Sequence, residues 1–162
     1  MSQPDDLPYR PCAGMMIANP QGQLFVGLRI DTKAEAWQLP QGGIDDGEEA
    51  AAAALRELGE ETGIAPRHVT LIAEAPGEYF YDLPPELIGR MWKGKWRGQR
   101  MRWFLYRFLG QDSDIDIATA HQEFRAWRWA DPDEVIALAV PFKRDIYAAV
   151  FRELGPHLRP AD

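Results

Sequence analysis

Residues 42–64 read GGIDDGEEAAAAALRELGEETGI, a glycine-rich loop followed by a segment rich in alanine and glutamate. Glu57, Glu60 and Glu61 stand at positions i, i+3 and i+4, so a helix would place them on one face. Like charges at this spacing destabilise an isolated helix by roughly 0.2–0.5 kcal/mol per pair. The cluster therefore has two interpretations, a solvated acidic face or a set of ligands for something positive.

The chemistry of these side chains limits the cation that they could hold. Carboxylates are hard oxygen ligands, and residues 42–64 contain no histidine or cysteine. Such a donor set favours Mg²⁺ or Mn²⁺ over zinc or copper. The Gly42-Gly43 loop could bring a backbone carbonyl close to the same ions because it lacks side chains. Two or more ions in one site would suit attack on a phosphoanhydride.

The remaining patterns predict one α/β domain. A helix is expected from Glu48 to about Thr62, where alanine favours helix formation and Gly63 is a good stop. Asp131 and Pro132 have the residue types of a helix start. Strands are predicted at Ala13–Ala18, Leu24–Arg29, Val69–Ala75, Met101–Leu109 and Phe124–Trp129, and a last helix at Phe142–Leu154. The domain is predicted to span residues 9–155, with a disordered segment at 1–8 and a flexible tail at 156–162.

Bulk properties exclude several classes of protein. The 162 residues are 46% hydrophobic and 27% charged, with no apolar run of the length that a membrane span needs. The first residues have neither the basic nor the apolar region of a secretory signal. The single cysteine, Cys12, fits a reducing compartment, so a cytoplasmic location is predicted.

The net charge of −7 argues against indiscriminate binding of polyanions, so DNA is not an expected partner. The charge is unevenly spread: residues 45–61 hold seven acids and one arginine, whereas residues 90–107 hold seven cations and no acid. This basic strip beside an acidic cluster suits a metal-assisted enzyme that acts on phosphates, although it could also simply offset acids elsewhere. The sequence does not indicate an oligomeric state.

The stretch at residues 42–64 resembles the Nudix box, G-x5-E-x7-R-E-U-x-E-E-x-G-U, where U is bulky and aliphatic. Every specified position is filled, by Gly42, Glu48, Arg56, Glu57, Leu58, Glu60, Glu61, Gly63 and Ile64. The resemblance implies a Nudix hydrolase with an α/β/α sandwich and a mixed sheet, which cleaves a diphosphate linkage. It also implies that the three glutamates and the Gly42 carbonyl bind the metals. Arg56 is expected to pair with Glu48 and hold the loop rather than face the metals.

Further segments resemble the bacterial RNA pyrophosphohydrolases, also called (di)nucleoside polyphosphate hydrolases. They are Tyr9-Arg10-Pro11, residues 36–44, Gly98-Gln99, Arg102-Trp103-Phe104, Glu123-Phe124, Trp127-Arg128-Trp129 and residues 141–145. This family removes pyrophosphate from the 5′-triphosphate end of RNA and leaves a monophosphate, and relatives split diadenosine polyphosphates. The resemblance leaves either substrate open. A third hypothesis is a non-catalytic Nudix domain that binds a nucleotide.

The same resemblance assigns further site residues. Glu123 is similar to an extra metal-binding carboxylate on a loop opposite the helix, and it or one of the other three glutamates would be the general base. Phe142 is similar to an aromatic that stacks on a base, with Arg29 on the other side of that base. Contacts to phosphates are implied for Arg10, Gln99 and Lys143.

The alternatives to these assignments are ordinary structural roles. Phe142 would then be core packing, and the polar residues would be solvated. Trp37, Trp103, Trp127 and Trp129 are interpreted as core or supporting residues. Within the basic strip, Lys93, Lys95 and Arg97 alternate with aromatics or glycine, a pattern that suits single-stranded RNA or the phosphate bridge of a dinucleotide.

Overall fold

A computed structural model describes residues 6–31 and 35–158, in which helices cover both faces of an eight-stranded mixed sheet. The strands are β1 (Tyr9–Ala18), β2 (Leu24–Arg29), β3 (Trp37–Gln38), β4 (Gln41–Gly43), β5 (Val69–Glu74), β6 (Tyr79–Asp82), β7 (Gly98–Phe108) and β8 (Phe124–Ala130). The helices are α1 (Ala50–Thr62), α2 (Pro132–Leu138) and α3 (Pro141–Leu154). The predicted α/β sandwich is confirmed.

The centre of the sheet is a parallel pair, β1 with β7, which runs in register from Tyr9 opposite Gly98 to Ala18 opposite Arg107. The main path through the sheet is β3-β2-β1-β7-β5, with β4 on β1, β6 on β7 and β8 on β2. Strand β4 places Gly42 opposite Ala13 of β1. The start of the Nudix box is therefore fixed against the middle of the sheet.

Alternation along β7 divides the core into two clusters. Met101, Trp103 and Leu105 join the cluster that packs against α2 and α3. The intervening residues of the strand, Phe104 and Tyr106, face the opposite way and pack with α1. Because side chains of a strand point alternately to its two faces, one apolar strand supports both helical layers.

Most predicted elements lie within a few residues of the observed ones. Helix α1 begins at Ala50 rather than Glu48, and Gly63 ends it in the left-handed conformation with φ of 72°, as predicted. Strand β1 begins at Tyr9, four residues earlier than predicted, because its first residues pair with β7. Strand β6 was not predicted, and its four residues also pair with β7.

The described part of the chain extends past the predicted domain limits. The carbonyl of Pro8 accepts the N–H of Arg97 at 3.0 Å. At the other end, Gly155–His157 form a 3₁₀ turn and Leu158 packs against the core. The rest of the predicted disordered ends, residues 1–5 and 159–162, lies outside the described residues. Within the described ranges, no helix has the length and apolarity to cross a membrane.

Candidate active site

A cleft of about 700 Å³ opens between α1, the start of α3, and the loops that follow β2 and β6. Its volume is within the range of small-molecule sites. All of the predicted site residues except Gln99 line this cleft: Arg10, Arg29, Gly42, Glu57, Glu60, Glu61, Glu123, Phe142 and Lys143. The fold therefore brings together residues that are up to 133 positions apart, from Arg10 to Lys143.

The acidic wall of the cleft is built on α1. Glu61 is 8% exposed, and its Oε2 accepts the backbone N–H of Gln41 at 3.4 Å. Burial raises its pKa well above the ordinary value, and the charges of Glu57 and Glu123 raise it further. Burial also raises the pKa of Glu57, with a further contribution from Glu60. Several carboxylates thus repel one another in one desolvated region, which a cation would relieve.

Gly42 and Glu57 are in direct contact. A Cβ on Gly42 would lie 1.9 Å from the Cδ of Glu57, so any side chain at this position would displace the carboxylate. The absence of a side chain lets the β4 backbone approach the acidic face of α1. This agrees with the expectation that the loop can approach the acidic cluster because it lacks side chains.

Glu123 reaches the cleft from the segment that leads into β8. Its backbone carbonyl accepts the N–H of Ile30 at 2.8 Å, which ties this segment to the end of β2. The carboxylate is exposed, and its charge contributes to the raised pKa of Glu61. Glu123 therefore faces the acidic wall of α1, as the resemblance implied.

Arg56 holds the glycine loop to α1, as predicted. It donates to both carboxylate oxygens of Glu48 at 2.9 Å and to the carbonyl of Gly43 at 2.8 Å. These contacts lower the pKa of Glu48 to about 2, the hydrogen bond from Arg56 being the largest cause. Arg56 does not line the cleft, but it also contacts two of the predicted metal-binding glutamates. Its Nη1 lies 2.9 Å from Glu57 and 3.2 Å from Glu60, which is its i+4 partner.

The opposite wall of the cleft is cationic and apolar. Lys143 is 6% exposed and donates to the side chain of Gln38 at 3.2 Å. Burial lowers its pKa to about 8, with a further contribution from the charge of Arg29. Arg29 forms a bidentate ion pair with Asp31. Phe142 is partly buried, and its ring lies 5.8 Å from that of Tyr81.

Gln99 is a correction to the predicted site. It is fully buried on β7, and its Oε1 accepts hydrogen bonds from Gln41 at 3.1 Å and from the hydroxyl of Tyr81. The alternation of β7 turns this side chain away from solvent, so it supports Gln41 from below instead of lining the cleft.

Several cleft residues were not predicted. Trp37 was interpreted as a core or supporting residue, but it is partly buried and lines the cleft. Tyr81 lines it from β6, and the aromatic triplet at residues 79–81 was the signal for that strand. Leu87 and Met91 line it from the loop between β6 and β7, and nothing in their sequence context distinguishes them from other apolar loop residues.

Most of the chain matches the sequence model of a known protein family. Residues 8–150 match the NUDIX domain. The chain belongs to the Nudix family. The box at residues 42–64 and the cleft beside it are thus the signature region of a Nudix protein, and the resemblance seen in the sequence is confirmed.

Sequence similarity to other Nudix proteins extends over almost the whole chain. The RNA pyrophosphohydrolase of Sphingopyxis alaskensis is 64% identical over 152 residues, covering 94% of this chain and 96% of that protein. The RNA pyrophosphohydrolase of Novosphingobium aromaticivorans is 58% identical over 154 residues, covering 91% and 95%.

Solved structures show the same fold at much lower identity. The E. coli dihydroneopterin triphosphate pyrophosphohydrolase superposes with a TM-score of 0.69 at 22% identity, over 88% of this chain and 96% of that one. A C. elegans Ap4A hydrolase superposes with a TM-score of 0.65 at 20% identity, over 91% and 98%. These matches concern the Nudix fold alone.

Proposed function

We propose that this Nudix protein removes pyrophosphate from the 5′-triphosphate end of RNA and leaves a 5′-monophosphate. The observation that carries the proposal is the 64% identity to an RNA pyrophosphohydrolase over nearly the full length of both chains. The cleft supports it, because acidic, cationic and aromatic side chains line one cavity of about 700 Å³. A nucleotide 5′ end needs partners for metal-bound phosphates, for free phosphate charge and for a base.

We propose Mg²⁺ or Mn²⁺ as the cofactor, held by Glu57, Glu60, Glu61 and Glu123 with the Gly42 carbonyl. The donor set fits such ions, because it consists of hard oxygens and includes the almost fully buried Glu61 carboxylate, which repels Glu57 and Glu123. Within the described residues, no three acidic, histidine or cysteine side chains form a ready metal cage. Arg56 lies 2.9 Å from Glu57 and 3.2 Å from Glu60, so a bound metal would compete with its guanidinium for these carboxylates.

When bound, divalent ions neutralise phosphate oxygens and lower the pKa of a water that can attack. The protein's own residues do the rest. Arg29 and Lys143 supply positive charge for phosphates on the wall opposite α1, and Arg10 supplies it beside Gly43 and Glu57. Phe142, supported by the ring of Tyr81, supplies an apolar face on which a base can stack. Such stacking contributes about 1–3 kcal/mol per base and tolerates different bases.

The proposed substrate also suggests where the protein works. Bacterial RNA with a 5′-triphosphate is made and degraded in the cytoplasm, so we propose that compartment. The single cysteine, Cys12, fits a reducing compartment because it has no partner in the chain for a disulfide.

Hydrolysis rates on two substrates test the proposal. With Mg²⁺ present, we expect kcat/KM for a 5′-triphosphate RNA to exceed that for diadenosine tetraphosphate by at least about tenfold, a difference of about 1.4 kcal/mol. The products are identified as pyrophosphate and 5′-monophosphate RNA. A higher kcat/KM on the dinucleotide would assign the protein to the alternative substrate.

The Glu60→Gln variant tests whether hydrolysis depends on a metal-binding carboxylate at this position. Glu60 is exposed apart from its ion pair with Arg56, so its replacement leaves the fold intact. We expect its activity to fall below about a tenth of wild type, because one oxygen ligand becomes an amide. A wild-type protein that binds nucleotide but does not hydrolyse it would instead indicate a non-catalytic Nudix domain.

A further inference from the structure

Six of the seven cations in the basic strip at residues 90–107 fall into two sets, and the seventh, Arg107, donates to the carbonyl of Asn19. Arg97 pairs with Asp82 at 3.1 Å, Arg100 with Glu78 at 3.2 Å and Arg102 with Glu74 at 2.8 Å. These arginines bind neighbouring strands and loops together. Arg97 therefore differs from Lys93 and Lys95, with which it was grouped in the sequence, in that its charge is paired with Asp82.

The second set consists of Arg90, Lys93 and Lys95, which are exposed on the loop between β6 and β7. None of the ion pairs among the described residues involves them. The chain has no acidic residue from position 87 to position 111, so no close neighbour in sequence neutralises them. In a protein of net charge −7, this is a local concentration of available positive charge.

The loop that carries these cations is an ordered part of the fold. Its ends are joined by the backbone hydrogen bond from Leu83 to the carbonyl of Arg97 at 2.8 Å. On its inner side, Leu87 and Met91 pack against the core and also line the cleft. The cations are therefore held on the same ordered loop as two of the wall residues of the cleft.

Lys93 has an unusual backbone conformation. Its φ is 60°, and it is the one residue other than glycine in the described ranges with a positive φ. Side chains with a Cβ adopt this region at an energetic cost, and such residues cluster where a ligand is held. In this loop the strained backbone conformation occurs at a residue whose side chain is charged and exposed.

We infer that Arg90, Lys93 and Lys95 form a track for single-stranded RNA beyond the 5′-terminal nucleotides. The inference rests on the proposed function and adds that the enzyme binds the body of its RNA. Positive charge on a loop that also lines the cleft matches the phosphodiester backbone that leaves the cleft, and sequence-independent binding of this kind relies on such contacts. A substrate of two nucleotides has no further phosphates to meet these side chains.

The test compares RNA lengths in a variant with both lysines neutralised. For Lys93→Gln/Lys95→Gln, we expect kcat/KM on a 15-nucleotide 5′-triphosphate RNA to fall about tenfold at low salt, while that on a 5′-triphosphate dinucleotide stays within about twofold. The salt dependence of kcat/KM on the long RNA should also weaken, by about 1.4 in log–log slope for two lost phosphate contacts. Equal losses on both substrates, or no loss on either, overturn the track.

Arg67→Gln/Arg152→Gln is the matched control, because it removes the same charge from exposed positions outside the cleft. It should leave both substrates within about twofold of wild type. Fluorescence anisotropy with the same 15-mer separates this inference from the proposed function. The lysine variant should bind about tenfold more weakly even if the wild type does not hydrolyse RNA, and an unchanged Kd overturns the track in either case.

Discussion

Lys143 shows how burial changes the chemistry of one side chain. It lies in the first turn of α3, where the helix dipole disfavours a cation, and it is 6% exposed. Burial and the nearby charge of Arg29 lower its pKa from 10.5 to about 8. Its charge is therefore present at neutral pH but is lost just above it, unlike that of an ordinary lysine.

This pKa predicts a pH dependence of substrate binding. As the pH rises through about 8, Lys143 loses its proton and its attraction for phosphate, so KM for triphosphate RNA should rise. Lys143→Gln should have a higher KM at neutral pH and lack this alkaline rise, because its amide does not titrate. KM is measured from pH 6.5 to 9.5 with constant ionic strength. The same alkaline rise in the variant would assign the titration to another group.

The site was predictable from the sequence where its chemistry is local. The positions of Glu57, Glu60 and Glu61 on one helix, next to a glycine loop, are readable from spacing alone. Gln99 was misplaced, because its side-chain direction depends on the register of β7 against β1. Leu87 and Met91 were missed, because only the path of a long loop brings them to the cleft.

At the scale of an element, α1 depends on how it ends. Gly63 has a φ of 72°, and its N–H donates to the carbonyl of Gly59 at 3.0 Å. A Cβ at this position would lie 2.4 Å from the backbone carbonyl oxygen of Asp116. The position thus requires glycine for two reasons, the left-handed conformation and the close approach of another backbone.

Gly63→Ala should lower the free energy of unfolding by more than about 2 kcal/mol, because conformational strain and a backbone clash add together. Urea denaturation followed by circular dichroism measures the change. Gly77→Ala is the control, since Gly77 also has a positive φ, 75°, but has nothing within 4 Å of its Cβ position. It should cost about 1–2 kcal/mol. Equal costs at the two glycines would remove the clash from the explanation.

Elements were predicted well where propensity and periodicity agree. The alanine run and Gly63 defined α1, and the alternation at Leu24–Arg29 gave β2 with its observed limits. Strand β6 was missed because it has only four residues and follows a glycine turn. The aromatic residues at 79–81 favour a strand, but pairing with β7 is what establishes it, and that pairing cannot be inferred from so short a segment.

At the scale of the whole molecule, buried polar contacts connect the helical layer to the site. The hydroxyl of Tyr147, on α3, accepts the backbone N–H of Leu39 at 3.1 Å. Tyr147 is 1% exposed, and its ring packs edge-on against Trp103 of β7. Leu39 directly precedes the loop that leads to Gly42, so this bond ties α3 and the sheet to the segment that begins the site.

Tyr147→Phe keeps the ring but leaves the Leu39 N–H buried without its acceptor. We expect the free energy of unfolding to fall by about 1–3 kcal/mol, the usual cost of an unsatisfied buried donor. Thermal and urea unfolding provide the measurement. Tyr79→Phe is the control, because Tyr79 is only partly buried, and it should change stability by less than about 0.5 kcal/mol. A Tyr147→Phe protein as stable as this control would show that water replaces the lost acceptor.

The parallel pairing of β1 with β7 also determines when the chain can fold. Strand β1 cannot complete its pairing until β7 has been synthesised. The last residue of β7, Phe108, lies 90 positions after Ala18, the last residue of β1. Pairings so distant in sequence slow folding, because a long loop must close before they form. A growing chain on the ribosome would therefore carry an apolar, half-paired strand through most of its synthesis, and that strand is the segment with which chaperones would be expected to associate.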